Sequence, residues 1–105
     1  MSGRKTVDVV SVPDEFALHQ NYPNPFNPVT QIDHDVPQEG LARMVIYDVM
    51  GREVKALVNQ NLDAGYHSIR WDGTNSRGMN VSAGLYFCSL STGSFNKTTK
   101  LLLLK

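Results

Sequence analysis

The chain holds one thiol, Cys88, and three imidazoles, His19, His34 and His67, and covalent or acid–base chemistry would have to be built from these groups and the hydroxyls around them. A nucleophilic Ser or Cys needs a base within reach and a third group that orients the base. Cys88 sits in Leu85-Tyr-Phe-Cys-Ser-Leu90, an apolar run in which a cysteine is expected to be buried and inert. No serine stands in a G-x-S-x-G elbow. The histidines are spread over an extended segment and two strands, without the paired spacing of a zinc site. In Asp33-His34-Asp35 alternation puts both carboxylates on the face opposite the imidazole, which describes a solvated strand face and not a proton-sharing pair. Asp72-Gly-Thr-Asn-Ser-Arg-Gly78 offers oxygens at Asp72, Thr74, Asn75 and Ser76 and invites a calcium reading. A hard cation prefers several carboxylates, and this loop has one, so an Asx-type turn is expected. There is no Gly-rich phosphate loop, basic stripe or heptad run. The residues predict no catalytic, cofactor or metal site, and the expectation is a binding or targeting module, not an enzyme.

The bulk properties point the same way. At 105 residues the chain fits one domain that buries roughly 65% of its unfolded surface. Ten basic and ten acidic side chains give a formal charge of zero, so nothing draws the chain to nucleic acid. A single cysteine allows no internal disulfide, and no run of about 18 apolar residues suggests direct membrane insertion. Met1-Ser-Gly-Arg-Lys lacks an apolar stretch behind its basic residues, so no export signal is expected there. It reads as an added start, which makes this chain the tail of a longer protein.

The elements are short and extended. Residues 1–18 read as a linker from an upstream cargo domain, with an edge strand at Val7-Asp-Val-Val-Ser-Val12, and 19–105 as the domain proper. In Gln20-Asn-Tyr-Pro-Asn-Pro-Phe-Asn-Pro28 three prolines forbid a helix and predict an extended or polyproline course, leaving Tyr22 and Phe26 to fasten it to a core. Thr30, Ile32, His34 and Val36 share one strand face, and Ala42, Met44 and Ile46 share a face of the next, so these two segments are expected to pair. Asp48-Val-Met-Gly-Arg52 makes a tight turn with Gly51 at positive φ. Residues 52–58 predict a third strand whose end could equally be a helical turn. Gly65 opens a fourth, with His67, Ile69 and Trp71 on one face. Residues 79–82 suggest a short edge strand, 85–90 a central strand apolar on both faces, and 95–105 a final strand. The expected fold is all-β, an immunoglobulin-like antiparallel sandwich of about seven strands, with a small open barrel as second choice.

From about Phe16 to Lys105 the chain resembles the C-terminal sorting domain of the type IX secretion system (type A, Por secretion system). It also resembles the related immunoglobulin-like domain of flagellar hook-capping proteins. The resemblance rests on Gln20-Asn-Tyr-Pro-Asn-Pro-Phe-Asn-Pro-Val-Thr30, Ile46-Tyr-Asp-Val-Met-Gly-Arg52, Ala64-Gly-Tyr-His67, Trp71-Asp-Gly73, Gly84-Leu-Tyr-Phe87 and Lys100-Leu-Leu-Leu-Leu-Lys105, in that order. It marks as signature or recognition positions Tyr22, Pro23, Pro25, Phe26, Asp48, Gly51, Arg52, Gly65, Trp71, Gly84, Tyr86, Lys100, Leu101, Leu102, Leu103, Leu104 and Lys105. The family usually carries Tyr or Phe where this chain has His34, and often an aromatic at Cys88.

The resemblance implies a cargo tail exported through the periplasm to the cell surface or beyond. An outer-membrane translocon would recognise it, and a surface sortase would cut it off within residues 1–18 and usually join the cargo to an anionic lipopolysaccharide. On the physical side, a terminal strand at 98–105 could offer backbone to a partner by strand addition, with one leucine face inward and the other free for a partner or a weak homodimer through an edge strand. The competing expectation is a passive structural module, hook-cap-like or appended to a secreted hydrolase. Carbohydrate binding ranks third, because Trp71 is expected to point inward.

Overall fold

The computed structural model describes residues 12–104, among which there are seven strands and no helix. β1 (Ala17–Leu18), β2 (Thr30–Val36) and β5 (Gly65–Trp71) form an antiparallel sheet in the order β1-β2-β5. β3 (Gly40–Tyr47), β4 (Glu53–Leu62), β6 (Gly84–Thr92) and β7 (Phe95–Leu103) form a second, in the order β4-β3-β6-β7. The two sheets enclose one core, the expected immunoglobulin-like sandwich.

Alternation builds that core. β2 buries Thr30, Ile32, His34 and Val36 and turns Gln31 and Asp33 outward. β6 buries Tyr86, Cys88, Leu90 and Thr92, and β7 buries Leu101 and Leu103. Trp71 ends β5 at the centre, 1% exposed, its ring centroid 5.6 Å from Phe26 and 5.3 Å from Tyr86, with Nε1–H donating to the Thr74 carbonyl at 2.9 Å. Burying a side chain of this kind contributes about 1.5–3 kcal/mol, so this aromatic trio is a main source of stability.

Several expectations are corrected. β2 and β3 do not pair. Residues 37–39 carry the chain from one sheet to the other, so β2 pairs with β1 and β5 while β3 pairs with β4 and β6. Alternation reports which face is buried, not which strand lies alongside. β4 continues as strand to Leu62, so the helical-turn alternative for its end does not hold. Residues 79–82 form no strand, only an isolated bridge between Thr74 and Asn80. The N-terminal edge strand is Ala17–Leu18, with Leu18 2% exposed; of the segment 7–12 only Val12 lies within the described residues, and it is not in a strand. The proline segment runs through successive bends and not as an extended or polyproline stretch.

Candidate functional site

Residues 16–26 form a strap that sews the two sheets together along one side. Toward the first sheet, Ala17 and Leu18 pair with Asp35 and His34, His19 N–H donates to Asp33 O at 3.0 Å, and Tyr22 exchanges two backbone bonds of 2.9 Å with Gln31. Toward the second, Phe16 stacks on Phe95, Gln20 Nε2 donates to Lys100 O at 2.7 Å, and Leu102 N–H donates to Asn24 Oδ1 at 3.1 Å. Phe26 closes the strap. Its N–H donates to Leu102 O at 3.0 Å, and its carbonyl accepts from Leu104 N–H at 2.8 Å, a parallel bridge to Leu103. The ring of Phe26 is 1% exposed, whereas Tyr22 is 80% exposed, so of the two aromatics expected to anchor the segment only Phe26 does.

The second anchor is a polar residue that pattern reading passed over. Asn21 is buried, and its Nδ2 donates to Thr30 Oγ1 at 2.9 Å and to Pro23 O at 3.1 Å, while Thr30 Oγ1 donates to the same carbonyl at 2.8 Å. A buried amide is tolerated only when its partners are supplied, and here the strap and β2 supply them. The signal was an Asn followed by two X-Pro steps, which would need a side chain to satisfy the carbonyls that prolines leave unpaired.

This strap changes the reading of the terminal strand. The outward backbone at the end of β7 is engaged by the strap at Lys100 O, at Leu102 N–H and O and at Leu104 N–H, so that stretch is poorly suited to strand addition; among the described residues the outward groups of Asn96 and Thr98 and the N–H of Lys100 have no such partner. What β7 does present there is side chains. Leu102 and Leu104 are 38% and 46% exposed on the outer face, Leu102 lies opposite Leu85, and Val49 and Met50 project from the neighbouring turn, making an apolar surface at the end of the sandwich.

The 48–52 turn beside that surface has a counterpart of the same construction at 75–79, and the two line one pocket together. In residues 48–52, Asp48 Oδ1 accepts from Met50 N–H and Arg52 N–H at 2.9 and 3.0 Å, and Asp48 N–H donates to Arg52 O. In 75–79, Asn75 Oδ1 accepts from Arg77 N–H and Met79 N–H at 2.9 and 3.0 Å, and Asn75 N–H donates to Met79 O. Gly51 and Gly78 take φ of 81° and 78° at matching positions, where a Cβ would be strained. The backbone N–H of Arg52 is the first cause holding the Asp48 carboxyl below its ordinary range, and Arg52 Nε adds a contact of 3.0 Å.

The groups once weighed for chemistry are held in structural roles. Burial pushes the Cys88 thiol up to about 12, so no thiolate is available at neutral pH. His34 is buried, stacked 5.6 Å from His67, and donates from Nδ1 to Ile32 O at 3.2 Å; desolvation holds its imidazole below the usual range. Asp33 is held low first by the Ser68 hydroxyl, then by Gln31. Asp72 accepts from the Thr74 hydroxyl and backbone N–H, the expected Asx turn, and the hydroxyl is the first cause of its lowered pKa. Among the described residues no group of three His, Cys, Asp or Glu could hold a metal ion.

The structure gathers the signature residues into two zones. Pro23, Pro25, Phe26, Trp71, Tyr86, Leu101 and Leu103 meet where strap, core and terminal strand converge, with Gly73 beside Pro28 and Leu103 at a φ of 76° that favours glycine. Asp48, Gly51, Arg52, Gly84, Leu102 and Leu104 line or border the outer apolar surface, with Lys100 two pairs further along β7. Gly65 stands apart at the start of β5, Tyr22 is solvent-facing, and Lys105 lies outside the described residues.

A family model described as the FlgD Ig-like domain matches residues 31–94. None of the curated proteins matches the chain. Among solved structures, the crystal structure of dimeric latent PorU from Porphyromonas gingivalis superposes with a TM-score of 0.64 at 20% identity, over 96% of this chain. The chain spans about a tenth of that protein's length, and the likeness is one of fold.

Proposed function

The chain belongs to the FlgD Ig-like domain family, and on that premise we propose that it is a folded C-terminal sorting domain. It directs a cargo protein through the type IX secretion system to the cell surface, where a sortase removes it. It acts as a substrate and a recognition surface and performs no catalysis of its own. The observation that carries this reading is the exposed leucine pair at the end of β7: Leu102, and Leu104 just past the strand, stay on the surface where Leu102 N–H and O and Leu104 N–H are all bonded to the strap. Apolar groups held in place on a folded surface suit a receptor that reads side chains in the folded state.

The test is a fusion of signal peptide, reporter and this chain in a bacterium with type IX machinery. The unmodified fusion is expected at the surface with the tail removed. Leu102→Glu with Leu104→Glu is expected to keep the melting temperature near that of the parent and to leave the reporter in the periplasm. A folded double variant that is exported normally would remove these leucines from the signal. The second reading, a passive structural module, is supported by the match to an Ig-like domain of FlgD. It becomes the better one if even the unmodified fusion stays in the periplasm.

A further inference from the structure

On the side opposite the strap the sandwich is unfinished by one strand. β1 lies against β7 through the Phe16–Phe95 stack, so a three-stranded sheet is aligned at that side with a four-stranded one, and β4 projects past β5 as a shelf. In β2, Gln31 and Asp33 turn their backbone toward the strap, so Thr30, Ile32 and His34 bond to Trp71, Ile69 and His67 of β5. Tyr66, Ser68 and Arg70 therefore aim their N–H and C=O groups outward, and among the described residues nothing pairs with them. Between this edge and the shelf runs a groove with Leu57 and Ile69 half-buried in it and Val29 at one end. Of the charges at its rim, Asp72 is already met by Thr74 and Lys55, while Arg70 has no ion pair among the described residues.

We propose that this slot takes a single extended segment of a partner polypeptide, hydrogen-bonded to β5, apolar on the alternate residues that face Leu57 and Ile69, and carrying a carboxylate beside Arg70. The unpaired ladder specifies an extended backbone, the one-strand difference between the sheets specifies a single strand, and Arg70 specifies the charge. The strap shows that this fold accepts such an occupant, because it fills the opposite side with an extended segment that bonds to sheet edges and inserts an aromatic ring. A second copy offering its own β5 would bring its own protruding β4 into the same space, so a separate segment fits better. This inference does not depend on export.

The probe is a pair of capped heptapeptides alternating Val and Thr, one ending in Glu and one in Lys, titrated into the labelled protein. The Glu peptide is expected to shift the Tyr66, Ser68 and Arg70 amides and slow their hydrogen exchange. Ser68→Pro removes an N–H that faces away from β2, so the fold should survive and binding should fall at least about tenfold. Arg70→Glu should reverse the preference between the two peptides, and it decides the matter if Ser68→Pro fails to fold. The proposal is overturned by no protection at about 1 mM peptide, by protection at Asn96 and Thr98 in place of β5, by a folded Ser68→Pro that binds like the parent, or by an Arg70→Glu protein that keeps the parent's preference.

Discussion

Where β2 and β7 approach each other, the strap bonds to both sheets and inserts Leu18 and Phe26 into the core, whereas between β5 and β4 nothing among the described residues lies over Leu57 and Ile69. The two sides are built from the same kind of strand edge. They differ in whether a chain segment has been assigned to them. One side is therefore a source of stability, and the other is a surface whose apolar groups are only half withdrawn from water. A closed side resists local opening, and an open one is where exchange with a partner costs least.

Substitution on the closed side should have the largest effect. Phe26→Ala removes a ring buried against Trp71 and loosens the strap, so a loss of about 3–5 kcal/mol is expected in urea unfolding, with Trp71→Ala in the same range. A Phe26→Ala protein with a near-parental midpoint would mean that the strap is not what closes that side. Asn21→Ala keeps the ring and strips the amide from Thr30 Oγ1 and the Pro23 carbonyl, for which about 1–3 kcal/mol is expected.

The next effect depends on pH. His34 has its imidazole held low by burial, so the folded state binds a proton less readily than the unfolded one. Its stabilising contribution is full above the unfolded pKa, near 6.5, and declines as pH falls below it, by at most about 1.4 kcal/mol per pH unit, until the lowered folded value is reached. The held-low carboxyls of Asp33, Asp48 and Asp72 act only at more acid pH, below about 4. His34→Phe should flatten the stability profile between pH 7 and about 5; an unchanged slope would assign it to other groups. The smallest effect is expected on the open side, where Leu57→Ala should cost about 1 kcal/mol or less, since its side chain is already half in water. If it matched Phe26→Ala, the distinction between the two sides would collapse.

Much of the fold was legible in the sequence because period-two patterning reports burial directly. The inward row Thr30, Ile32, His34 and Val36, the central position of 85–90, the Trp71 anchor and the split of the terminal leucines all follow from it. What escaped was pairing. Whether β2 lies beside β3 or in the other sheet leaves the alternation of both unchanged. Gln20 meets Lys100 across 80 positions, a contact that no local signal encodes. At the candidate surface the leucines were legible as two faces, but the occupation of the β7 edge depended on where the proline segment docks. Asn21 takes the anchoring role expected of Tyr22 because hydrogen-bond demand inside the bends outweighs hydrophobicity.

The strap also determines how the molecule carries mechanical load. Its last residues run parallel to β7, with Phe26 bridged to Leu103. Tension between an upstream segment and the end of β7 enters the strap at its N-terminal end and leaves β7 at its C-terminal end. In that geometry the bonds from Gln20 to Lys100, Asn24 to Leu102 and Phe26 to Leu102 and Leu104 are sheared together and not peeled one after another. Force applied between the two ends would thus be met along the one side of the sandwich where the two sheets are sewn.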